Sequence, residues 1–214
     1  MKKEVNMRFD SVSKKSAAVL LLLALAVHAS FSQDITLDAV CAGLASHKVT
    51  TGNFTQEKKI NDKRTLKSFG TFVLSASGIA LNTQKPLKTS MAVTENSFIQ
   101  VTADGTRSVM DASSNEVFRS VAGTVYAMFS GDKEELERNF TIDFSSQSDG
   151  WRMVLEPNDQ TIAGAIKSVT MGGTFKGKDC LLEYFIMGDN TKYTFSGHAF
   201  KDSLSNEEKA YFSK

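Results

Sequence analysis

The sequence predicts an α+β, mainly β fold: an open antiparallel β-barrel or half-barrel of about ten to eleven strands, with helices covering an apolar cavity. Three observations predict it. Many short β-forming runs follow one another with turn signals between them, such as Asp104-Gly105. Helical spacing appears in only a few places, at the start, in the middle and at the end. The order is therefore helix, strands, helical insertion, strands, helix, which suits a sheet that curls with helices across one face.

The first helix is read over Leu37 to Leu44. Leu37, Val40, Cys41 and Leu44 fall at i, i+3, i+4 and i+7, with Thr36 as the capping residue. Strands are expected over Thr50–Ile60, Leu66–Leu74, Ile79–Thr83, Ser90–Val93, Ser97–Thr102, Thr106–Met110 and Glu116–Ser120. Helical spacing then takes over at Val121, Val125, Met128 and Phe129, and Asp132 with Glu135 opens a helix over Lys133–Asn139. Strands resume at Phe140–Ser145, Trp151–Glu156, Ala165–Phe175, Cys180–Met187 and Lys192–Phe200. Ser205 and Glu208 signal a last helix reaching Phe212.

Ahead of this lies an export signal over residues 1–29. Lys14 and Lys15 are followed by an uncharged run from Ala17 to Val27, and Val27-His28-Ala29 places small residues where a signal peptidase reads. Cleavage after Ala29 fits best, with Ser32 as the alternative and Met7 as an alternative start. The apolar run is too short for a membrane span. No cysteine stands at the cut, so no lipid anchor is expected, and the mature chain is expected to diffuse freely. About 185 residues follow the cut, enough for one domain with a sizeable core. The domain is read over residues 34–212.

The formal net charge is +1, with no basic stripe, so nucleic acid is not expected as a partner. The mature chain keeps only His47 and His198, and neither sits in a metal-spaced cluster. No catalytic residue, metal site or cofactor is nominated, and the chain is not expected to be an enzyme. Gly172-Gly173-Thr174-Phe175-Lys176-Gly177-Lys178-Asp179 mimics a phosphate loop. Yet Asp179 stands where a hydroxyl should, and a strand follows instead of a helix, so a hairpin turn is the better reading. Cys41 and Cys180 leave two readings open. A disulfide would close a loop of well over a hundred residues, worth about 4–5 kcal/mol in the chain-entropy model. The other reading is two buried thiols. Fifteen phenylalanines and eight methionines suit an ordinary core or an adaptable apolar cavity.

Several segments carry a resemblance. Gly52-Asn53-Phe54-Thr55-Gln56-Glu57-Lys58 follows the first helix; Leu66-Lys67-Ser68-Phe69-Gly70 comes next; Gly78 to Pro86 ends in a Pro turn; and Val154-Leu155-Glu156-Pro157 closes a later strand. In order and spacing these resemble the LolA-type outer-membrane lipoprotein carriers, from about Leu37 to Phe200. The resemblance implies an open barrel with a helical lid and a periplasmic carrier of acylated lipoproteins. It also implies an inner-membrane lipoprotein-releasing ABC complex as donor and an outer-membrane receptor as acceptor. A monomer is expected. The sequence departs from that family at Ser75-Ala76-Ser77, which lacks the arginine many members place at the barrel mouth; neither Arg64 nor Arg107 takes that role. The expected acyl-chain cavity is lined by Phe72, Leu74, Ile79, Leu81, Met91, Val93 and Ile99 from strands, and by Val40, Leu44, Val125, Met128 and Phe129 from helices. The alternative reading is a periplasmic domain on the same half-barrel that senses lipid or lipoprotein and regulates a partner.

Overall fold

The computed structural model describes residues 35–111, 116–148, 150–188 and 190–213, and the chain from Ile35 onward forms one compact unit. The export signal read over residues 1–29 lies outside the described residues.

Helix α1 (Leu37–Ala45) begins where Thr36 Oγ1 accepts the Ala39 N–H at 3.1 Å, and it buries Val40, Cys41 and Leu44. That is the stripe its spacing predicts. Six strands then form a meander: β1 (Val49–Asn61), β2 (Arg64–Ser75), β3 (Gly78–Lys85), β4 (Thr89–Val93), β5 (Ser97–Val101) and β6 (Arg107–Asp111). Helices α2 (Glu116–Ser130) and α3 (Lys133–Asn139) interrupt it. The chain continues with β7 (Phe140–Gln147), β8 (Gly150–Pro157), α4 (Gln160–Ala165), β9 (Val169–Lys176), β10 (Asp179–Met187), β11 (Thr191–Lys201) and α5 (Asn206–Phe212). The eleven strands make one open antiparallel sheet in the order β6-β5-β4-β3-β2-β1-β11-β10-β9-β8-β7. The join between its two halves is β1 against β11, with Phe54 opposite Phe195.

Two predicted elements are corrected. Glu116–Ser120, read as strand, is the first part of α2: the helical spacing from Val121 to Phe129 extends backwards through it. The strand expected from Ala165 starts only at Val169, because Asp159 caps the short helix α4 before it, accepting from the Thr161 and Ile162 N–H groups.

The two faces of the sheet are used differently. The inner face carries the main core, into which α1 to α4 pack with Phe54, Phe72, Leu81, Met153 and Phe185. The outer face carries a second cluster of Val49, Val73, Ala80, Ala92 and Ile99, covered by Leu204 and by Tyr211 and Phe212 of α5. Strand alternation explains the split: Phe72, Leu81 and Val93 point one way, and their chain neighbours Val73, Ala80 and Ala92 the other. On the inner face, close approach depends on two glycines. Gly70 pairs with Phe54, and Gly52 with Phe72. A Cβ on Gly70 would lie 2.1 Å from the Asn82 carbonyl oxygen, and one on Gly52 would lie 2.6 Å from the Phe72 ring. Each ring thus lies across from a residue with no side chain, which lets β1 and β2 bend tightly at this point.

Helix α5 is tied down by polar contacts. Ser205 and Glu208 form a complete capping box. Lys201 Nζ meets both Glu208 oxygens at 2.6 and 2.7 Å. Asn82 Nδ2 donates to Tyr211 Oη at 3.0 Å. Ser205→Ala removes the cap acceptor and is expected to cost about 1 kcal/mol, measured by urea unfolding.

Candidate functional site: an apolar pocket between helix α2 and the sheet

The inner face does not pack solid under α2. One pocket, a cavity of about 20 Å³, is lined by Leu44, Phe72, Leu74, Ile79, Phe129, Leu182 and Phe195, with Thr50, His47, His198 and Cys180 also on its wall. A second, about 50 Å³ by the same measure, is lined by Leu81, Met91, Val93, Val125, Phe185, Met187 and Tyr193. Both share Ile79, Phe129 and Phe195. They are two lobes of one apolar space, partitioned where α2 lowers Phe129 onto the sheet. The Phe129 ring stacks on Phe185 with centroids 5.1 Å apart and meets Phe195 edge-on at 6.3 Å. Phe72 closes the other side of Phe195 at 5.0 Å. In this conformation each lobe is a narrow cleft with room for no more than a few water molecules, so a larger guest enters only as the Phe and Met side chains of the walls repack.

Nine of the twelve residues nominated from sequence line these lobes: Leu44, Phe72, Leu74, Ile79, Leu81, Met91, Val93, Val125 and Phe129. Val40 and Met128 do not reach the space; each is 0% exposed and packed within the core around it. Ile99 is a correction: it lies on the outer face in the cluster under α5, because its strand neighbour Phe98 takes the inward position. The residues missed are those of β10 and β11, namely Leu182, Phe185, Met187, Tyr193 and Phe195. Their alternate spacing was legible, but the meeting of β11 with β1 was not.

The polar groups at the border are few and mostly engaged. Tyr193 Oη accepts from Gln56 Nε2 at 2.7 Å, and burial raises its pKa above the usual phenol value. His47 lies with Nε2 3.1 Å from Asp179, off the hydrogen-bonding direction, and its ring stacks on Phe200 at 3.7 Å. His198 Nε2 donates to the Leu182 carbonyl at 2.9 Å, since a carbonyl can only accept. Its ring meets Phe72 edge-on at 5.5 Å. Burial pulls the His198 pKa below 6.5, against the weaker opposing effects of that carbonyl and Glu183. The folded protein therefore holds His198 neutral where the unfolded chain would protonate it. Its contribution to stability is complete above pH 6.5 and is lost as pH falls from there towards the lower folded value. His198→Gln is expected to flatten the stability curve on the acid side of pH 6.5, read from melting temperatures as the pH is lowered from there.

Of the two readings for Cys41 and Cys180, the structure holds two free, buried thiols. Burial pushes Cys41 up to about 11 and Cys180 up to about 12. At neutral pH neither is a thiolate, so neither is an activated nucleophile. Among the described residues no cluster of three or more His, Cys, Asp or Glu could hold a metal ion. The Gly172–Asp179 segment is the β9–β10 hairpin, with Lys176 paired to Asp179 and Gly177 at φ +64°. What the site offers is apolar surface rich in sulfur and aromatic rings.

The architecture is thus an eleven-stranded half-barrel with its helices over an apolar pocket. The chain belongs to the family of LolA-like outer membrane lipoprotein carrier proteins, whose model matches residues 82–212, more than half of it. The match begins after the Phe54-to-Lys58 and Leu66-to-Gly70 segments that carried much of the resemblance in sequence. No curated protein matches. Among solved structures, a LolA superfamily protein from Nitrosomonas europaea is similar at 9% identity and a TM-score of 0.45, over 83% of this chain and 96% of that one. A DUF1329 family protein from Desulfovibrio piger is similar at 9% identity and a TM-score of 0.44, over 83% and 94%. A domain described as an outer membrane lipoprotein-sorting protein, from Vibrio parahaemolyticus, gives 9% and 0.44, over 83% and 98%.

Proposed function

We propose that this protein is an exported, periplasmic chaperone that holds the acyl chains of lipoproteins in the two-lobed pocket and carries them from the inner to the outer membrane. It works as a binding protein without catalysis, as a monomer, taking cargo from an inner-membrane lipoprotein-releasing ABC complex and yielding it to an outer-membrane receptor. The observation that carries this reading is the apolar space partitioned by Phe129. Family membership supports it, and so does the export pattern read in the sequence. Among the described residues no helix is long and apolar enough to cross a membrane.

The energetics ask for such a pocket. Each buried methylene is worth about 0.8 kcal/mol, so a chain of about a dozen is worth on the order of 10 kcal/mol when shielded from water. Phe and Met walls repack around such a chain without demanding one geometry. The test is competition: a triacylated lipopeptide should displace a bound apolar dye such as ANS, and the same peptide without acyl chains should not. A protein that binds neither dye nor lipopeptide is not a carrier. Stable capture of a regulatory protein partner, with no transfer of lipopeptide between vesicles, would favour the sensing alternative.

A further inference from the structure

The register of β1 and β2 leaves their hairpin standing beyond the rest of the sheet. β1 pairs with β11 only as far as Lys58, and β2 pairs with β3 only from Phe69. Beyond Lys58 the hairpin's strands pair with each other, Lys59 opposite Thr65 and Asn61 opposite Arg64, and the last tie to the neighbouring β10–β11 turn is the Lys59 N–H donating to the Asn190 carbonyl at 2.7 Å. The turn is ordered, since Asn61 Oδ1 accepts the Lys63 N–H at 3.1 Å.

This projecting tip has an unusual surface. Ile60 is 48% exposed and Leu66 44% exposed, two of only six large apolar residues so exposed among those described. Between Glu57 and Lys67 the hairpin carries five cations, Lys58, Lys59, Lys63, Arg64 and Lys67, against Glu57 and Asp62, a net charge of +3. One of these cations is matched, Lys67 with Glu57 at 2.6 Å. Beside the hairpin, the end of β3 adds Lys85, opposite Phe69, and the β3–β4 loop adds Lys88 and Leu87, the last 64% exposed. On a chain whose overall charge is +1, this end is locally basic.

We propose that the β1–β2 hairpin docks this protein on an anionic phospholipid bilayer. The cations would meet lipid phosphates, and Ile60 and Leu66 would dip into the interface between headgroups and acyl chains. Isolated exposed apolar residues on a soluble surface are ordinary. Apolar residues at the tip of a projecting cationic element match what an interfacial anchor requires, namely charge attraction plus shallow apolar burial. A purely electrostatic partner, such as an acidic protein, would leave the leucine and isoleucine without a role. The inference stands on the hairpin alone and goes beyond the carrier reading, because the tip lies apart from the pocket.

The test uses the purified protein and sedimentation with vesicles. Vesicles of phosphatidylethanolamine containing phosphatidylglycerol should bind it, and vesicles of phosphatidylcholine should bind it far less. Lys63→Glu with Arg64→Glu is expected to weaken binding to the anionic vesicles by about thirtyfold or more, at roughly fivefold for each cation lost. Ile60→Ser with Leu66→Ser should abolish the share of binding that survives high salt. Lipopeptide binding should be unchanged in both variants, which separates this proposal from the pocket's function. A second readout needs no variant: anionic vesicles should slow tryptic cleavage at Lys63 and Arg64. Failure of the protein to bind anionic vesicles, equal binding to neutral ones, or unaltered binding by the charge-reversed hairpin overturns the proposal.

Discussion

Phe129→Ala is expected to lower the unfolding free energy by about 3–5 kcal/mol, as for other phenylalanines removed from a core. The same substitution should increase the amount of apolar dye bound at saturation. The reasoning lies in the position of the ring. Phe129 stacks on Phe185, meets Phe195, and belongs to the walls of both lobes. Removing it takes away the partition and joins two small cavities, about 20 and 50 Å³, through the volume the ring vacates. An ordinary core position would show only the loss of stability. A ligand-holding position shows loss of stability together with gain of capacity, because a bound apolar ligand replaces the missing contacts. Urea unfolding with and without lipopeptide distinguishes the two: the ligand should restore more stability to the variant than to the parent.

The second large effect is expected at Gly131, between α2 and α3. Its φ is +71°, where a side chain is strained. Its N–H donates to the Ala127 carbonyl at 3.1 Å and so ends α2. A Cβ here would fall 2.3 Å from the Cys41 carbonyl oxygen and 3.1 Å from Leu44 Cβ. Gly131→Val therefore combines left-handed strain with overpacking against α1. The two together are expected to cost about 2–4 kcal/mol, measured by thermal unfolding. Gly131→Asn separates the causes. Asparagine tolerates the left-handed region but still carries a Cβ, so it should keep the part of the loss that comes from α1. Since Leu44 lines the pocket, the displacement of α1 should also loosen dye binding.

How legible these features were depends on the kind of information each requires. The strands could be read because their side chains alternate locally, and the caps because Thr36, Asp132 and Ser205 sit just where each helix begins. Helix α4 was not legible: it has six residues and buries only Ile162, so it leaves no periodic stripe. The outward placement of Ile99 was not legible either. A strand with Phe98 and Ile99 side by side offers two apolar faces, and only α5, folding back from the end of the chain, shows why both are covered. The same limit hid half of the pocket. Tyr193 and Phe195 reach it because β11 closes against β1, a pairing between residues more than a hundred positions apart that no local pattern encodes.

The inner face is the heart of the account, and photocrosslinking tests it most directly. A photoreactive residue placed at Leu81 or Met91, both lining the pocket, should crosslink to the acyl chains of a bound lipopeptide. The same residue at Thr71, on the outer face with Val73, should not. Equal crosslinking from both faces, or crosslinking from Thr71 alone, would contradict the assignment of the pocket as the acyl-chain site.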